Sequence, residues 1–151
     1  MRIAFFLVFV LLLFSVLSFF VSGASVSNDG EYIQFQQVTM SFHDVDAHIS
    51  INYDLNAFSS IYIFLFGTHN LEPTFEVFFS DFEETDIREI GKQNAVVFAK
   101  NVSRQNDGYY LHDSLELSGN VRALTMIYPD GSTRSVFNVK ATPDTFYSGS
   151  V

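Results

Sequence analysis

Between Asp44 and Asp54 the chain reads DVDAHISINYD and alternates without a break. Val45, Ala47, Ile49, Ile51 and Tyr53 are apolar on one parity; Asp44, Asp46, His48, Ser50, Asn52 and Asp54 are polar on the other. A strand turns successive side chains to opposite faces, so this pattern predicts one buried face and one wet face. A strand of that kind needs neighbours to pair with and a second layer to cover its apolar side. The stretch therefore commits the chain to a sheet with a packed core on one face.

The N-terminus cannot belong to that core. MRIAFFLVFVLLLFSVLSFFVSGASVS has one early charge, Arg2, an uncharged run from Ile3 to Phe20, and small residues after it. A small domain has no means of covering a helix that is apolar on every face. The layout is that of a signal peptide or an N-terminal membrane anchor over residues 1–23, because the run lies between a signal h-region and the roughly 20 residues that span a bilayer. Residues 24–31 are small and polar and read as a short linker. Residues 32–147 are the expected domain, with 148–151 as a disordered tail. About 120 residues suit one domain and one core.

Composition removes several classes of function. There is no cysteine, so disulfides, thiolate zinc sites and cysteine nucleophiles are all excluded. The formal net charge of -9 repels phosphate backbones and anionic head groups, so nucleic acid is not an expected partner. Glycines are spread singly and form no phosphate-cradling loop.

Along the domain, YIQFQQVTM alternates only in part and reads as an opening strand, Tyr32 to Met40. The period then changes. Phe58, Ile61, Tyr62, Leu65 and Phe66 follow helical spacing, with Asp54 or Asn56 as N-cap and Gly67 as the stop, which predicts a helix over about 55–66. A second helix over about 71–83 is expected from Asn70 as cap, Pro73 in the first turn, and the stripe Phe75, Phe78, Phe79 and Phe82. Five further strands are expected: Asp86 to Ile90, Ala95 to Val102, Tyr109 to Leu117, Val121 to Tyr128, and Thr133 to Lys140. The turn Tyr128-Pro129-Asp130-Gly131 predicts a tight hairpin between the last two. The expected fold is α+β: a single, mostly antiparallel sheet, a meander of about six or seven strands, with two Phe-rich helices packed on one face. If IYIFLF were a strand, the alternative would be an all-β sandwich.

HDVDAH, residues 43–48, places two histidines and two aspartates in six positions. On a strand, Asp44, Asp46 and His48 would share the outward face about 6–7 Å apart at the backbone. They are the metal-ligand candidates, with His112 or Asp113 able to complete a mixed nitrogen and oxygen set. Water alone accounts for such a polar face, and the spacing places His43 opposite His48. His112-Asp113-Ser114 names the residue types of a hydrolase triad, but contiguous strand residues face opposite ways and no Gly-x-Ser-x-Gly occurs. Asp81, Glu83, Glu84 and Asp86 read as a solvated acidic run. Tyr109 and Tyr110 are candidates for stacking a sugar or peptide. Asn101-Val102-Ser103 is an N-glycosylation sequon, with Asn101 as acceptor.

These residues define no catalytic centre and no cofactor. The functional expectation is an exported or membrane-anchored acidic extracytoplasmic domain, extracellular or at the cell surface, acting as a non-enzymatic structural or protein-interaction module. Its expected partners are a membrane, through the N-terminal segment, and another envelope or surface protein. The alternatives are a metal-binding protein using Asp44, Asp46 and His48, and an apolar-ligand carrier with a pocket between the helices and the sheet.

Overall fold

A computed structural model describes residues 32–149, and the compact unit begins at Tyr32. Residues 1–31, where a leader and a linker are expected, and the last two residues lie outside the described residues. Strand β1 spans Ile33–His43 and β2 spans Asp46–Leu55; helix α1 is Ala57–Phe66 and, after a 3-10 turn at Thr68–Leu71, α2 is Glu72–Phe78. The remaining strands are β3 (Glu84–Ile90), β4 (Asn94–Lys100), β5 (Arg104–Asn106), β6 (Tyr109–His112), β7 (Glu116–Ile127), β8 (Thr133–Ala141) and β9 (Thr145–Ser148).

The strands form two sheets among the described residues, one of six strands in the order β3-β4-β2-β1-β7-β8 and one of three in the order β5-β6-β9. This corrects the expected single meander. The large sheet is mixed, because β1 and β7 pair in parallel, Phe35 opposite Val121 through Ser41 opposite Ile127. Parallel neighbours cannot be joined by a tight turn. All the chain between them, both helices included, serves as the connection.

The alternation in β2 holds: Ala47, Ile49, Ile51 and Tyr53 are buried, with His48, Ser50 and Asn52 exposed between them. In β1 the buried parity switches from Ile33 and Phe35 to Val38, Met40 and Phe42. The cause is a bulge against β2 between Phe35 and Gln37, which is why the sequence alternates only in part. Two expected strands are redrawn. Tyr109 to Leu117 splits, its first half joining the small sheet as β6 and its end joining the large sheet in β7. Ser118-Gly119-Asn120, expected as a connector, lies within β7, where the register with β8 shifts between Glu116 and Val121. The hairpin at Tyr128 to Gly131 forms as expected, with the Gly131 N–H donating to the Tyr128 carbonyl at 2.9 Å and Gly131 at φ 82°. Ser148, expected to begin the tail, pairs with Tyr109.

One face of the large sheet is covered by α2 at one end and by the small sheet at the other. Phe35 stacks on Phe78 at 3.8 Å between centroids, and Phe75 packs edge-on against Tyr53 at 5.4 Å. At the far end Phe42 meets Tyr147 at 4.8 Å and His112 at 5.1 Å. The Phe stripe is core, as its spacing suggests, but α2 ends at Phe78, well before residue 83. Phe79 and Phe82 continue inward from a turn, and Asp81 accepts a hydrogen bond from the Glu116 N–H at 2.7 Å, which pins that turn to β7. Asn70 does not cap α2; its amide instead donates to the Phe66 carbonyl at 3.2 Å.

Helix α1 forms where expected, capped by Asn56, whose side chain accepts from the Ser59 N–H at 2.8 Å, and closed by Gly67 at φ 87°. Its orientation is the reverse of the one expected. Ser59 and Ile63 face inward, while Phe58, Ile61, Tyr62, Leu65 and Phe66 are all exposed. Only α2 seals the sheet with its apolar stripe.

Gly119 lies against the stacked pair of rings, where a Cβ would sit 3.2 Å from the Phe35 ring and 3.4 Å from that of Phe78. Gly119→Val overpacks this point and is expected to lower stability by about 1–3 kcal/mol. The measurement is urea unfolding, in which the midpoint falls while the slope is unchanged.

Candidate functional site

HDVDAH is the tip of the β1–β2 hairpin. His43 pairs with Asp46, leaving Asp44 and Val45 as a two-residue turn. Asp44 has φ 54° and is the only one of the two at positive φ. Aspartate tolerates this left-handed region better than most residues.

The tip is held by the small sheet and by the loop after β4. The Tyr110 hydroxyl donates to Asp44 Oδ1 at 3.0 Å, and the Tyr147 hydroxyl donates to the Asp44 carbonyl at 2.7 Å. The Ser103 N–H donates to the Val45 carbonyl at 3.1 Å. The Asn101 N–H donates to Asp46 Oδ1 at 3.0 Å, with Asn101 itself at φ 52°. Burial pushes the Tyr147 phenol up to about 12, so at neutral pH it is a fixed donor. These bonds form a clasp in which the Asp44 carboxylate ties the tip to the small sheet and the Asp46 carboxylate ties it to the loop after β4.

His48 lies apart from that clasp, on the wet face, with its ring 4.8 Å from Phe98. The hairpin also brings His43 to within 5.5 Å of it, although the spacing suggests opposite faces, because His43 belongs to β1 and His48 to β2. Asp44, Asp46 and His48 do not converge on one point, and among the described residues no group of three His, Cys, Asp or Glu side chains is arranged to hold a metal ion.

His112, Asp113 and Ser114 also separate. His112 is 2% exposed, with Nδ1 2.6 Å from the Val102 carbonyl and Nε2 2.9 Å from Thr142 Oγ1. A carbonyl only accepts, so Nδ1 carries the proton and Nε2 accepts from the threonine hydroxyl. Burial lowers the imidazole pKa below its ordinary value, outweighing the bond to Val102. Asp113 pairs with Arg104 at 2.6 Å in the open, and Ser114 donates its hydroxyl to the Thr142 carbonyl. The acidic run is likewise divided, with Asp81 at the β7 turn, Glu84 paired with Lys100 and Asp86 paired with Arg88.

In the sequon, Asn101 is exposed, whereas Val102 and Ser103 are buried and Ser103 Oγ bonds the Tyr147 hydroxyl at 2.9 Å. Tyr110 is buried in the clasp and stacks on Tyr147 at 5.5 Å, while Tyr109 remains open.

The surface feature that the pattern did not disclose is α1. Phe58 is 72% exposed, Phe64 77% and Leu65 65%. No Asp, Glu, Lys or Arg occurs from Leu55 to Leu71, which was the available signal. Beside the helix a cleft of about 430 Å³ opens between Leu55, Ser60, Ile63, Phe64 and Lys92. Comparison with protein-family models, curated proteins and solved structures finds no match for this chain.

Asp44→Ala removes an acceptor and places alanine at positive φ, so a loss of about 1–3 kcal/mol is expected, while Asp44→Asn, which keeps both properties, loses about 1 kcal/mol or less. Combining Asp44→Ala with Tyr110→Phe in a double-mutant cycle is expected to give a coupling of about 1 kcal/mol, and additive losses would mean that the bond contributes nothing.

His112 gives the domain an acid-sensitive term. Its folded pKa is lowered, so below about pH 6.5 the unfolded chain takes up a proton that the folded chain refuses. Stability is therefore full above that pH and falls as the pH drops towards the lowered folded value. In denaturant titrations across this range, His112→Asn, which retains a donor for Val102, is expected to start less stable and to show a shallower pH dependence than the parent.

Proposed function

We propose that this chain is an exported acidic domain, carried to a membrane by residues 1–23 and held there or released, that works outside the cytoplasm as a non-enzymatic structural or protein-interaction module. The observation that carries this reading is the outward face of α1. An apolar surface that contributes nothing to the domain's own core is the mark of a surface made for contact. The groups that suggested chemistry are engaged internally: Asp44 and Asp46 in the clasp, His112 between Val102 and Thr142, and Ser114 on a carbonyl. On this reading Asn101, exposed beside the clasp, is the residue that a glycosylating export pathway modifies.

A second reading, an apolar-ligand carrier, draws on the cleft beside α1. Its walls include Ile63 and Phe64, but Asp54 and Lys92 stand among them, which suits an amphipathic ligand better than a purely apolar one.

The test is topological. The full chain is expressed in a secretory host, and membranes, medium and cytosol are separated. The domain is expected in the medium or on membranes, open to protease added from outside. Recovery in the cytosol with residues 1–23 intact would overturn the reading.

A further inference from the structure

We propose that the outward face of α1 lies on the lipid bilayer that the N-terminal run enters, so that the helix is a second, interfacial contact between the domain and its membrane. The inference rests on the proposed membrane role of residues 1–23.

The helix is apolar on the side turned away from the domain. Ile61 and Leu65 centre that face, at 61% and 65% exposure, with Phe58 and Phe64 at its flanks. Ser59 and Ile63, on the opposite side, hold it to the domain. A polar solvent-facing surface is what a helix at the edge of a water-soluble domain ordinarily presents. Here no formal charge occurs between Leu55 and Leu71, in a chain whose net charge is -9. Such a face carries no charge of its own into the head-group and acyl boundary, and Lys92, whose ammonium lies 6.0 Å from the Phe64 ring, stands at its edge. The chain's negative charge sets the lipid class: contact with zwitterionic lipid through aromatic and aliphatic side chains, insensitive to salt.

The covalent path places the helix within reach of that surface. The Asn56 N–H, at the N-cap of α1, donates to the Tyr32 carbonyl at 3.3 Å, so the helix starts where the chain from the leader enters the domain. From Phe20 to Tyr32 is about a dozen residues, a span of at most about 40 Å. A connection no longer than this keeps the face beside the bilayer and makes its contact with lipid an intramolecular step. The clasp lies at the other end of the ten-residue strand β2. A second copy of the chain fits the face less well. A ten-residue helix is about 15 Å long, too short to bury by itself the roughly 800 Å² per partner of an ordinary protein interface.

The chain contains no tryptophan, so a single introduced one reports unambiguously. The full chain carrying Phe64→Trp is reconstituted with phosphatidylcholine vesicles whose acyl chains are brominated, and compared with Phe146→Trp, 72% exposed on β9 near the clasp. Vesicle flotation is measured in parallel. The expected result is a blue-shifted Phe64→Trp emission quenched roughly threefold or more relative to Phe146→Trp, unchanged in high salt, with the quenching reduced by adding Ile61→Ser and Leu65→Ser. If the chain floats but Phe64→Trp is quenched no more than Phe146→Trp, the docking is overturned while the tether stands. If the chain does not float, both fail. A blue shift that grows with protein concentration and is not quenched assigns the face to a second copy and overturns the lipid contact.

Discussion

The parallel pairing of β1 with β7 is the constraint on which the rest of the structure depends. It joins an N-terminal hairpin to a C-terminal one, with Phe35 set opposite Val121 and Met40 opposite Met126. Because the two strands run the same way, the ends of both hairpins, the Asp44 turn and Tyr128, fall at one end of the sheet. Tyr147 of the small sheet can therefore touch Phe42, the Asp44 carbonyl and Ser103 together. At the opposite end, entry at Tyr32, exit from β2 at Leu55 and the start of α1 are neighbours because β1 and β2 form an antiparallel hairpin. Remove the parallel ladder and the clasp loses its geometry.

How much of this the sequence discloses depends on the range of the interaction. Local periodicity was legible in β2, in the Tyr128 to Gly131 turn and in the existence of both helices, because neighbouring residues determine each of them. The β1 pattern was blurred by a single extra residue at the bulge, which flips the parity of everything after it. The parallel pairing left no local trace, since its partners lie 86 residues apart, and a meander is the natural expectation for strands joined by short turns. The orientation of α1 was illegible for another reason. With Ile63 and Phe64 added to the stripe, apolar residues surround the helix, and periodicity then says that it is a helix without saying which side is inside.

The stretch from His43 to His48 shows one set of residue types able to serve two ends. A run of aspartates and histidines on a wet strand invites a metal, but the same residue types serve a tight turn, because aspartate accepts hydrogen bonds and tolerates positive φ. Asp44, Asn101, Asp107 and Asn138 all lie in that region, so four of the chain's Asp and Asn residues are explained by backbone geometry. What the turn needs from outside, the hydroxyls of Tyr110 and Tyr147, comes from far along the chain. No spacing rule could have paired them with Asp44.

The bond between Ser103 and Tyr147 bears on the order in which the chain is made. The two residues are 44 apart, and Tyr147 belongs to the last strand. During synthesis from the N-terminus this bond cannot close until Tyr147 has emerged, 44 residues after Ser103. An enzyme that reads the sequon needs its serine hydroxyl free, and this hydroxyl is free only on the nascent chain. Were Asn101 a glycan acceptor, its modification would have to come in the interval before that bond closes.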